Sequence, residues 1–311
     1  MKFLGLFWNK EQKRLRMLLR VMLYLLLVFA LFFGYASLMV RFGLFFLAQN
    51  RVASGLVQIG LAGVAVFLAG WLLDRRKFTD FGFHINRLWW RRLGQGILLG
   101  ALLMAAIFLL EWALGWVQVT GFMGTNTMLS SFPTAAYFWS QFFQSLFFYF
   151  CAAAAEELFF RAYPLINLSE GFHNQKIPRN LALWLAAILT SLVFGLAHLG
   201  NPHASWIAAG NIFFAGMMLS LGLIYEGEMA LPIGLHFSWN FFQGVIFGFP
   251  ISGTLAPANL IRIQQSGPQL FTGGNFGPEA GLIGLAATLL GSLFLIWYYS
   301  RKHSKGSPDL N

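Results

Sequence analysis

Charge is scarce in this 311-residue chain, where 10% of residues are Asp, Glu, Lys or Arg against about 25% in an ordinary globular protein. That leaves too little polar surface for a soluble domain. One cysteine, Cys151, excludes an internal disulfide and any cysteine-rich metal site. It sits in a Phe/Ala run, where a small core residue is expected rather than a nucleophile. The short alternating segments of a transmembrane β-barrel are absent, as is the H-E-x-x-H helix of soluble zinc proteases. No internal repeat or inverted half is visible. Acids are scarcer than bases, 11 against 21, giving a net charge of +10. In a soluble protein that excess would suggest nucleic acid; among apolar spans it marks basic loops facing a cytoplasm, and no nucleic-acid partner is expected.

What is abundant is apolar. Hydrophobic residues make up 58% of the chain, with 35 Phe and 11 Trp. Runs of bilayer-spanning length recur throughout, so the expected fold class is all-α, a polytopic membrane protein with a polar site inside the bundle. Eight spans are expected, at about 17–48, 52–73, 94–116, 134–168, 181–199, 204–225, 230–249 and 279–299. The first is too long for a signal peptide and lacks a small-residue cleavage site. Pro164 is expected to kink the fourth. Residues 1–133 would form helices 1–3 with basic segments, 134–250 a core of helices 4–7, and 251–311 a Gly/Pro-rich loop, helix 8 and a basic tail. With both termini inside, 18 of the 21 Lys and Arg fall on the inner side. Both termini are therefore expected in the cytoplasm.

Within this apolar chain, Ala152–Arg161 carries two adjacent carboxylates and a guanidinium. An ionisable residue at bilayer depth costs roughly 2.5–3.5 kcal/mol on insertion scales and is by default functional. Glu157 and Arg161 are four apart and share a helix face, while Glu156 points about 100° away. Burial would favour the neutral form of Glu156, and Arg161 would keep Glu157 ionised. Two later helices add Phe194 with His198, and His236 with Asn240, each pair on one face. Singly, each would be a satisfied core histidine or an interhelical hydrogen bond. Together they suit hydrolysis: a carboxylate and an imidazole deprotonate a water, and an imidazole and an amide donate to the oxyanion. Glu156, His198 and His236 could equally hold Zn²⁺ with an open fourth position. His84 and Glu111 stay outside this site.

The motifs Glu156-Glu157-x-x-x-Arg161, Phe194-x-x-x-His198 and His236-x-x-x-Asn240, in this order, resemble those of the CAAX protease and bacteriocin-processing (CPBP) family over about 135–250. Phe81-Gly82-Phe83 and Gly273–Glu279 are similar to bacterial members. The resemblance implies an intramembrane endopeptidase of a bacterial plasma membrane, acting on a hydrophobic, lipidated or membrane-inserted peptide. It implies that Glu156 and His198 activate water, that His236 and Asn240 stabilise the oxyanion, and that Glu157 and Arg161 support them. It leaves both a metalloprotease and a metal-independent glutamate protease open. No cofactor is required on the second, and zinc on the first. A scaffold or bacteriocin-immunity role, or a transporter using the Glu/His set as a proton relay, are the rival readings. The drawn spans pose one difficulty. His198 would lie about 25 Å along its helix and His236 about 9 Å along its own. A shifted boundary, a tilted helix or a break at Gly200-Asn201-Pro202 is needed to bring them together.

Overall fold

A computed structural model of the protein describes residues 7–9, 12–126 and 134–304. Lys10, the end of the uncharged 117–133 loop and the basic tail beyond 304 lie outside the described residues. The helices are α1 (Met17–Phe42), α2 (Arg51–Ala69), α3 (Arg87–Ala113), α4 (Ala135–Glu157), α5 (Tyr163–Phe172), α6 (Arg179–Ala197), α7 (Trp206–Glu226), α8 (Ala230–Asn240) and α9 (Leu282–Ser304). Side-chain oxygens of Asn50, Asn86, Thr134 and Ser205 cap α2, α3, α4 and α7, satisfying amides that a helix start otherwise leaves open.

The molecule is an all-α polytopic membrane protein. Six helices among the described residues, α1, α2, α3, α6, α7 and α9 with their adjoining turns, are long and apolar enough to cross a membrane. The other two expected spans are helical but interrupted, and they carry the Glu pair and the His236/Asn240 pair. A π-helical turn, Leu158–Ala162, separates α4 from α5, and another, Phe241–Ile246, follows α8. The expected kink at Pro164 is thus taken up just ahead of the proline, which occupies the first turn of α5, where its missing N–H costs nothing.

Two short sheets accompany the helices. β1 (Trp8–Asn9) pairs with β2 (Arg14–Leu15), and β3 (Val117–Thr125) pairs antiparallel with β4 (Ala258–Gln265), with an irregularity between Val119 and Gly121. The segments holding β3 and β4 read as loops in sequence. Their alternation, as in Val117-Gln118-Val119-Thr120 and Ile261-Arg262-Ile263-Gln264, carries the strand period of two. Glu111 belongs to this scaffold: buried, it accepts 2.6 Å from Gln265 Nε2.

The closest helix crossing is α3 on α8. A Cβ on Gly96 or Gly100 would run into backbone of Leu231 or Leu235, and one on Gly234 into Leu93. Gly96-x-x-x-Gly100 is the small-residue spacing that lets membrane helices touch backbone to backbone. This contact removes the depth difficulty. Gly96 is the tenth residue of α3, about 14 Å along it at 1.5 Å per residue, and Leu231 at the start of α8 lies beside it. His236 is therefore deeper in the bundle than its place in α8 suggests.

Ion pairs gather both ends of the described chain at one end of the bundle. Arg14 pairs with Asp74 and, at 2.8 Å, with Glu170, while buried Arg20 bonds Asp74 and Asn167. Lys302 and Arg92 meet at Glu226, at 3.2 and 2.8 Å. His84 sits at this end as an exposed residue, 3.0 Å from Glu228.

Candidate active site

The alanine run Ala152–Ala155 lets α4 pack closely, and it delivers the glutamates at the helix end where the π-turn begins. Glu157 and Arg161 are both fully buried, and Arg161 Nη1 donates to Glu157 Oε1 at 2.7 Å. The guanidinium also lies 4.0 Å over the Phe194 ring, a cation–π contact worth about 2 kcal/mol when desolvated. Phe194 thus covers Arg161 and separates it from the open site. Glu156 behaves differently. Its side chain keeps 36% of its surface exposed, so the burial expected for Glu156 falls on Glu157 instead.

The two histidines are held by different partners. His198 stands where α6 ends in a 3₁₀ turn, His198–Gly200. Its Nδ1–H donates 2.7 Å to Phe194 O, which assigns the lone pair to Nε2. His236 gives Nδ1–H to Glu157 Oε1 at 2.9 Å and brings Nε2 to 3.7 Å from Glu156 Oε2. The imidazole of His236 therefore bridges both glutamates, a contact that helix spacing alone did not show. Phe194 lies edge-on to both imidazoles, 4.7 and 6.0 Å between ring centres.

Glu156, Phe194, His198, His236 and Asn240 all line one cavity of about 240 Å³. Glu157 and Arg161 stand behind it, so all seven residues singled out in the sequence are brought together. Cys151 is buried in the α2–α4 contact beside Gly55 and is not among the lining. Residues outside the motifs also reach the cavity, notably Gln58 of α2, Asn211 of α7, and Ser252 and Glu279 from the segment between α8 and α9. The run Gly273-Gly274-Asn275-Phe276-Gly277-Pro278-Glu279 was the sequence signal for the last.

Among the described residues no three His, Cys, Asp or Glu side chains are grouped to hold a metal ion. Glu156 and His236 are the candidate ligands seen to approach one another, at 3.7 Å.

Residues 138–242 match the family model described as Rce1-like, type II CAAX prenyl endopeptidase Rce1-like. The match spans the glutamate pair, both histidines and Asn240. No curated protein and no solved structure matches the chain.

Proposed function

We propose, from the match of residues 138–242 to the Rce1-like CAAX prenyl endopeptidase family model, that the chain hydrolyses a peptide bond of a membrane-associated or hydrophobic peptide inside the bilayer. The observation that carries this reading is the cavity in which Glu156, His198, His236 and Asn240 converge. A water between Glu156 and His198 Nε2 loses its proton as it attacks the carbonyl carbon. His236, as an imidazolium holding protons on both nitrogens between the two glutamates, donates from Nε2 to the oxyanion that forms, and Asn240 donates beside it. Glu157, neutralised by Arg161, fixes the His236 ring through Nδ1. The proton taken from water is then returned to the leaving amine, so the step consumes one water and one peptide bond. The proposed mechanism is of the metal-independent glutamate type.

An apolar groove of about 480 Å³ supports a hydrophobic or lipidated substrate. Leu25, Phe29 and Phe32 of α1 line it, and it shares Gln58 and Glu156 with the cavity. A chain lying in it would reach the reacting carboxylate without crossing water. A bacterial plasma membrane with both termini cytoplasmic completes the proposal. The test is incubation of the purified protein with a peptide library, with and without chelator, beside Glu156→Gln. Cleavage by the wild type that survives chelation and disappears in Glu156→Gln is expected. Cleavage retained in Glu156→Gln would remove the assigned base.

A further inference from the structure

Glu279 has no part in the hydrolysis described above, yet it lines the same cavity. Its placement is built by tight backbone. Ser252 donates to Glu279 Oε2 through both its amide, at 2.8 Å, and its hydroxyl, at 2.9 Å. Among the described residues Oε1 makes no hydrogen bond. The segment holding Ser252 is tied in turn, with Gly253 N donating 2.9 Å to Phe276 O. Gly253 and Gly277 take φ of +83° and +110°, and a Cβ on either would strike the carbonyl of Pro202 or Pro250. Only glycine meets both demands. Asn211 Nδ2 donates 3.1 Å to Gly281 O and fixes the far side of the turn on α7. One carboxylate oxygen is thus held and the other left free.

The charge around the cavity is unbalanced. Among the described residues two carboxylates, Glu156 and Glu279, line it, and no Lys or Arg does. Two arginines lie behind the lining and are committed elsewhere: Arg161 to Glu157 behind the Phe194 ring, and Arg51 to the rings of Phe148 and Tyr149, at 4.9 and 5.8 Å. Tyr149, His198 and His236 are the other titratable groups in the lining. An acid in an enclosed site without a cation is costly in its ionised form, and a cation supplied by a ligand relieves that cost.

Resting on the proteolytic reading, we infer that Glu279 is a specificity subsite for an organic cation, the lysine or arginine side chain of a substrate residue near the scissile bond. A free carboxylate oxygen anchored at its partner oxygen suits a charge-assisted hydrogen bond to an ammonium or guanidinium. The lack of a three-ligand group among the described residues favours such a cation over a bare metal ion. Burial pushes the Glu279 carboxyl above its usual range, opposed by the Ser252 hydrogen bonds and by His198 and His236.

The test uses hydrophobic peptides cleaved by the full chain, each with Lys or norleucine at successive positions around the cut. At one position the Lys peptide should have a kcat/KM roughly tenfold or more above its norleucine twin, mainly through KM. Glu279→Gln should bring that ratio close to one. A wild type without preference, or a preference that survives Glu279→Gln, overturns the subsite. If Glu279→Gln does not fold, the wild type is inhibited with butylammonium and with butanol on a norleucine peptide. Competitive inhibition by the ammonium alone is expected, and equal inhibition overturns the inference. Cleavage that persists in Glu156→Gln would instead sink the assigned base, while the Lys ratio would still report on Glu279. If no peptide is cleaved, the hydrolytic reading fails. Equilibrium binding of the same pairs to wild type and Glu279→Gln then judges the subsite, with equal affinities overturning it.

Discussion

Glu156 and Glu157 are neighbours in sequence with opposite surroundings, and substitution should separate them. Glu156 opens to the cavity, so Glu156→Gln should keep the wild-type melting temperature and abolish peptide turnover. Glu157 is fully buried between Arg161 and His236. Glu157→Gln leaves the guanidinium uncompensated and should cost about 3–5 kcal/mol in stability, read by thermal or denaturant unfolding. If both variants melted like wild type, the pair with Arg161 would contribute nothing. Asn240→Ala removes one oxyanion donor and should lower turnover by roughly 10²–10³ with little change in substrate affinity. His236→Ala should do the same or worse, because it also strips Nδ1 from Glu157. Neither substitution should alter metal content. About one zinc per chain in the wild type and none in His236→Ala would make that residue a ligand.

At the scale of elements, the site depends on how deeply α8 is seated, and α3 decides this. Gly100 faces Leu235 and Ser238 with no room for a Cβ, whereas Gly94, two residues before Gly96, has open space around its own. Gly100→Leu should therefore destabilise by about 1–3 kcal/mol or more and reduce turnover by displacing His236. Gly94→Leu should leave both close to wild type. A Gly100→Leu protein with normal melting and activity would show that the two helices need not meet backbone to backbone. The π-turn after Glu157 serves the same end. It lets the chain carry the buried ion pair and start α5 with Pro164, which has no N–H to donate, in the first turn.

For the whole molecule, the ion pairs of Arg14, Arg92 and Lys302 place both ends of the described chain at one end of the bundle. The lysine and arginine bias is the ground on which we propose that this end faces the cytoplasm. In a Cys151→Ala background, Lys176→Cys should label only from the cytoplasmic side and Arg262→Cys, on β4, only from the other. Ser130, which would serve equally as an outer probe, lies outside the described residues. Labelling of Arg262→Cys from the cytoplasm would overturn this topology.

Sequence by itself determined the class of the molecule and named the residues that the proposed site gathers. Apolar runs of spanning length require helices wherever no water can satisfy the backbone, and the 3.6-residue repeat puts Glu157 with Arg161, Phe194 with His198 and His236 with Asn240 on shared faces. What it could not supply were relations between helices. The depth of His236 is set by Gly96 and Gly100, residues on another helix whose role is to have no side chain. The bridge from His236 to both glutamates needs α4 and α8 side by side. Glu279 reaches the cavity only because glycines at 253 and 277 take conformations that need no neighbour in sequence but fit one in space. The β3–β4 ribbon joins segments more than a hundred residues apart, and alternation marks each strand without naming its partner. Local periodicity fixes what each helix presents, and contact between distant backbones decides what those faces meet.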